Sequence, residues 1–159
     1  MPAHPLVVVR RSLIQGRGVF ARLPIRKGRR ILEYVGERIS DAEAEARYDD
    51  RAMRRHHTFL FEVRRDVVID GAVRGNASRL INHSCDPNCE AVLVGSRLWV
   101  YARRPIATGE ELAYDYAYAR DGTETAADER LYACRCGAAR CRGSILKPKR
   151  GRRVSRRRR

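Results

Sequence analysis

The chain has 159 residues, enough for one domain with a core of its own and too few for two full-sized ones. One third of it is charged, the net charge is +15, and the only apolar run near the N-terminus is four residues long, far from the roughly 20 of a membrane span. No other stretch approaches that length either, so the expectation is a soluble chain without a classical export signal. Five cysteines is an odd count, and three of them fall within residues 134–141, which suits a metal better than disulfides and a reducing compartment better than an oxidising one. The charge is uneven: residues 147–159 hold nine Lys or Arg and no acid, so most of the excess is a tail. The arginine bias fits a GC-rich bacterial genome, so cytoplasm or nucleoid is the expected setting, with delivery to a host nucleus left open.

In chain order, residues 6–14, 30–35, 57–63 and 66–70 carry β-branched and aromatic residues between Gly, Pro and charged breaks, and read as strands. Ser40 followed by Glu43 is a capping box that opens a helix over residues 40–55, charged and Ala-rich and so expected on the surface. Residues 91–104 read as a hairpin turning at Gly95 and Ser96, and residues 105–112 as a loop. Residues 119–130 are small and polar and are expected to be a mobile connector. The 147–159 tail has no apolar periodicity and is expected to be disordered in isolation. There is no internal repeat.

Four clusters carry chemistry. Residues 16–21, GRGVFA, fit the loose G-x-G-x-x-G/A dinucleotide pattern, but Pro24 and Gly28 break any helix that would have to follow, so a Rossmann reading fails. Asn82, His83, Ser84 and Cys85 set an amide, an imidazole, a hydroxyl and a thiol side by side after a short apolar run, a costly cluster to bury without a site. Tyr114 and Tyr116, two apart in an extended segment, point the same way. Cys134, Cys136 and Cys141 offer three thiolates on a tight loop, and tetrahedral zinc needs a fourth ligand. Each cluster has a plainer reading: a glycine turn, a satisfied histidine, packed tyrosines, free thiols.

Five segments in order, GRGVF (16–20), EYVGE (33–37), GNASRLINHSCDPNC (75–89), GEELAYDY (109–116) and CRCGAARCRG (134–143), tip the balance. The chain from about residue 13 to 145 resembles the SET-domain protein lysine methyltransferases. The resemblance implies a mainly β, β-clip-like fold with short helices and a C-terminal pseudoknot. It also implies an N-terminal lead-in (1–12), a SET catalytic domain (13–118), a connector (119–130), a small post-SET zinc segment (131–146) and a basic tail (147–159).

The same resemblance assigns roles. Gly16, Arg17, Gly18, Asn82, His83 and Tyr116 would contact S-adenosylmethionine. Tyr34, Phe59 and Tyr114 would line the substrate channel, with Tyr116 as the catalytic phenol beside the sulfonium and Tyr114 governing the number of methyl groups. Cys85 would join Cys134, Cys136 and Cys141 on zinc, leaving Cys89 over; Cys89 in place of Cys85 is the alternative. Related sequences often carry Tyr where this chain has Phe59. The chemistry is coherent: a free lysine is neutral in only about one molecule per few thousand at pH 7, so a methyl-transfer site must desolvate and aim the amine, and needs no nucleophilic triad. The expected partners are a basic, DNA-associated protein carrying the target lysine and, through the tail, DNA or a nucleosome by sequence-independent phosphate contacts. The rivals are a non-catalytic SET-like module and a zinc-dependent nucleic-acid-binding protein.

Overall fold

A computed structural model describes residues 4–49 and 52–149; the basic tail from residue 150 onward lies outside the described residues. As expected, the architecture is mainly β, with two short α-helices. Strands β1 (Val7–Arg11) and β2 (Arg17–Ala21) form an antiparallel hairpin. Strand β3 (Arg30–Tyr34) pairs with β9 (Arg97–Ala102), which pairs with β8 (Cys89–Val94), giving the order β3-β9-β8. A second three-stranded sheet has the order β4-β6-β5, built from β4 (Glu37–Ile39), β5 (Leu60–Arg64) and β6 (Val67–Asp70). The 82–85 segment and the tyrosine segment meet as two-residue strands, β7 (Asn82–His83) and β10 (Ala113–Tyr114), paired in parallel.

The hairpin at Gly95 forms as expected, with Gly95 at φ 61, a left-handed conformation that glycine adopts without strain. The main core lies where β2, β9 and the loops that flank β7 and β10 converge, and Val19, Ile81, Val100, Ile106 and Leu112 are all essentially fully buried there. Burial of each such side chain contributes about 1.5–3 kcal/mol, which fixes the short β7 and β10 strands that backbone pairing alone would not hold.

Two elements differ from expectation. Helix α1 opens on the Ser40–Glu43 capping box but runs only from Asp41 to Arg47. Its lone buried residue is Ala44, so little apolar surface rewards extension, and Tyr48 leaves the helix to donate its hydroxyl to buried Asp70 on β6 at 2.9 Å. Arg47 reaches the same carboxylate at 3.0 Å, pinning the helix end to the sheet. The 119–130 stretch, expected to be a mobile connector, holds all but the last residue of α2 (Ala126–Leu131), opened by a Thr125–Asp128 capping box. Arg120 fastens it through a two-pronged contact with Glu129 at 2.8 and 3.2 Å.

Candidate active site

The parallel β7–β10 pairing puts the backbone of 82–84 against that of 113–116. The Ser84 N–H donates to the Tyr114 carbonyl at 3.1 Å, and the Tyr116 N–H donates to Nδ1 of His83 at 3.1 Å. That bond makes Nδ1 an acceptor, so the neutral ring carries its proton on Nε2, 3.3 Å from Cys85 Sγ. Burial pushes His83 down to about 4, with Asp115 opposing the shift and Arg142 adding to it. The ring is therefore neutral at physiological pH, with Nδ1 already engaged by the Tyr116 N–H.

Two adjoining cavities flank this junction. The first is narrow, about 30 Å3, and is lined by Ile14, Gln15, Asn82, His83 and Tyr116 together with residues 55–58 and Cys134. The second, about 240 Å3, is walled by Tyr34, Leu60, Phe61, Tyr114, Tyr116 and Tyr118, with Glu62, Arg79 and Lys147 also on its lining. Tyr116, Tyr118 and Thr58 belong to both.

The expected site residues therefore divide. Asn82, His83 and Tyr116 line the first cavity, and Tyr34, Tyr114 and Tyr116 the second. Gly16, Arg17 and Gly18 line neither; Ile14 and Gln15, just ahead of them, do. A Cβ on Gly18 would lie 2.2 Å from Oε1 of Glu111, so any side chain there would displace that carboxylate. Glu111 in turn accepts from Nδ2 of Asn82 at 2.8 Å and from the Ser12 hydroxyl at 2.9 Å, tying β7 to the β1–β2 turn. Phe59, expected on the channel wall, does not line the second cavity. Its ring stands edge-on to His57 and lies under the Arg79 guanidinium, 5.5 Å away, while Phe61 on β5 faces Tyr34 and Tyr114 at 5.4 and 5.9 Å.

Burial raises all three expected channel phenols, so each stays protonated. Tyr116 donates its hydroxyl to the Ile81 carbonyl at 2.9 Å, and Tyr34 to the Phe59 carbonyl at 2.7 Å. The Tyr114 hydroxyl, on the cavity wall, makes no such bond to a described residue. Tyr118 extends the two-residue alternation and is in edge-on contact with Tyr116.

The four thiols of Cys85, Cys134, Cys136 and Cys141 converge, all within 4.8 Å of one another. Cys85 Sγ is 3.7 Å from that of Cys134 and 3.9 Å from that of Cys141. Burial opposes ionisation of Cys136, but the N–H groups of Cys85 and Ala138 and the neighbouring thiols outweigh it and draw this cysteine down to about 7. Cys89 is elsewhere, fully buried on β8 opposite Ala102, where desolvation pushes its thiol up to about 12. Arg142, inside the cysteine segment, grips Asp115 between the two tyrosines through paired bonds of 2.7 Å. Burial disfavours the Asp115 carboxylate, yet Arg142 prevails and holds it below the usual range.

A match to the SET domain family covers residues 16–117. The chain belongs to the SET domain family. Curated relatives agree. The chain is 41% identical over 145 residues to "Histone-lysine N-methyltransferase, H3 lysine-4 specific" of Saccharomyces cerevisiae, covering 87% of this chain and 13% of that protein. It is 37% identical over 143 residues to "Histone-lysine N-methyltransferase trithorax" of Drosophila melanogaster, covering 86% and 4%. It is 40% identical over 135 residues to "Histone-lysine N-methyltransferase ASHR3" of Arabidopsis thaliana, covering 82% and 26%. The chain thus spans only 4–26% of the length of these longer relatives. The family match begins at Gly16 and ends at Ala117, so the thiols of residues 134–141 lie beyond it and stand on their own geometry.

Proposed function

We propose that this SET domain transfers a methyl group from S-adenosylmethionine to the side-chain nitrogen of a lysine in a histone or another basic, DNA-associated protein. The observation that carries the reading is Tyr116, whose side chain is shared by two cavities, one beside Asn82 and His83 and one walled by aromatic rings. S-adenosylmethionine, when bound, supplies a sulfonium methyl that an uncharged amine can attack in line. The fit is chemical: the Asn82 amide, the Gln15 amide and the backbone around His83 are polar groups converging on the first cavity. The Gln15 side chain meets Nδ1 of His57 at 2.7 Å on the lining of this narrow cavity.

The chain's own residues do the rest. The rings of Tyr34, Phe61, Tyr114 and Tyr118 strip water from an incoming lysine, which lowers its ammonium pKa and frees the lone pair. Tyr116, fixed by Ile81, aligns that lone pair at the junction. The proton released from the ammonium passes to solvent at the mouth of the cavity, where the exposed Glu62 lies on the lining.

The cysteine cluster fits zinc. Four sulfurs at about 2.3 Å from a tetrahedral centre lie about 3.8 Å apart, close to the 3.7 and 3.9 Å found from Cys85. Cys85, Cys134, Cys136 and Cys141 would hold the ion, and its role would be structural: it would clip residues 134–141 to the 82–85 segment, beside the Arg142–Asp115 grip. The basic tail would contact DNA or nucleosomal phosphates. Transfer of labelled methyl groups to a panel of histones and nucleoid proteins tests the reading, and a chain that binds the cofactor without turnover on any of them would instead be a binding module.

A further inference from the structure

Five cations fall without an acid between them from the end of β2 to the start of β3, Arg22, Arg26, Lys27 and Arg29 in the joining stretch and Arg30 as the first residue of β3. The fold lays this stretch against the end of β9 and the loop that follows. Ile25 and Ile106 exchange backbone bonds of 2.9 Å, Gly28 donates to Ala102 at 2.7 Å, and Ala102 donates to Arg29 at 3.0 Å. Because Ile25 and Ile106 both point into the core, the charged neighbours on each side are left outside, and Arg103 and Arg104 join the five. All seven are exposed. Only Arg104 has a carboxylate partner among the described residues, Glu110 at 2.5 Å. Arg30 instead lies over the ring of Trp99 at 4.4 Å, which holds one guanidinium at the border of the patch. None of the seven lines either cavity of the active site.

A surface that is merely solvated interleaves its signs, whereas here the fold itself gathers six unpaired cations and accepts their mutual repulsion. We propose that this end of the domain is a docking surface for duplex DNA, gripping its phosphates independently of the basic tail. The match is one of charge density. Duplex DNA presents one phosphate per about 1.7 Å of axis, and each cation that meets one releases a counterion. Arginine and lysine without base-reading geometry predict binding that is salt-sensitive and indifferent to sequence.

The test is the slope of log affinity against log salt for a short duplex, measured by fluorescence anisotropy on the full chain without methyl donor. The doubly substituted Lys27→Ala/Arg103→Ala chain is compared with Arg64→Ala/Arg65→Ala, which removes the same charge from exposed positions on and after β5. The patch variant is expected to flatten the slope by about 2, since each lost phosphate contact removes about 0.9, and the control to leave it unchanged. Thermal melts of both variants confirm that the fold is kept. Equal slopes for the two variants, or a patch variant indistinguishable from the natural chain, overturn the proposal. So does a patch variant that keeps its DNA slope but loses binding to polyglutamate, since the surface would then read carboxylates. Failure of the methyl-transfer reading would leave this result untouched.

Discussion

Tyr34, Tyr114 and Tyr116, on the wall of the second cavity, differ in how their hydroxyls are used. Tyr116 and Tyr34 donate to backbone carbonyls, so their positions are fixed, while Tyr114 reaches no described partner and is left to meet whatever enters. Tyr116→Phe removes a bond worth about 1 kcal/mol to the fold and should leave cofactor affinity within a few-fold. Turnover should fall about a hundredfold or more, because a misaligned lone pair costs that much; separate measurements of turnover and cofactor affinity check it, and unchanged turnover contradicts the role. A free Tyr114 hydroxyl can hold a water beside the amine, so the natural chain should give mono- and dimethyllysine. Tyr114→Phe should shift products toward trimethyllysine in mass spectra, and abundant trimethyllysine from the natural chain contradicts the assignment. The Tyr114/Tyr116 alternation was legible as sequence because a strand's period is two. That Phe61 and not Phe59 lines the second cavity was not, since the Phe59 ring lies against His57 and under Arg79 of the 3-10 helix Ala77–Leu80, contacts that no local pattern announces.

At the scale of elements, short motifs acquire position from what they pack against. The Ser40–Glu43 box correctly marked where α1 starts, but its end is set by Asp70 on β6, a contact over 22 residues that no local pattern announces. Helix α2 could have been read, because Thr125 and Asp128 form the same kind of box, but a six-residue helix with no buried residue leaves no apolar period. The glycine turn was visible as a turn, and its reason was not: Gly18 makes room for Glu111, which supports Asn82. The cysteines show the opposite case, where spacing named three thiols, the family resemblance named the fourth, Cys85, and the fold brings it to them from about fifty residues away. Cys141→Ser should therefore lower both bound zinc and activity, whereas Cys89→Ala, altering a core position on β8, should keep the metal at some cost in stability. Elemental analysis of the two proteins decides it; zinc lost from the Cys89 variant would mean that the ligand set is wrong.

Over the whole molecule, the site depends on segments far apart in sequence meeting at Tyr116. The β1–β2 turn comes through Asn82 and Glu111, the tyrosine segment through β10, and the cysteine segment through Arg142 and Asp115. The charge is likewise divided between the catalytic body and the tail. Deletion of residues 151–159 removes six arginines, and should flatten the salt dependence of DNA binding by up to about 5 while leaving methylation of a short peptide nearly intact. Collapse of peptide activity would make the tail part of the catalytic structure. The central claim, that two cavities joined at Tyr116 deliver a methyl group to a lysine, is tested most directly by mass spectrometry of histones and nucleoid proteins after incubation with the chain and S-adenosylmethionine. The account predicts mass increments of one or two methyl groups on a lysine side chain, absent with Tyr116→Phe; a panel left unmodified by a folded, cofactor-binding chain, or methyl groups found on residues other than lysine, would contradict it.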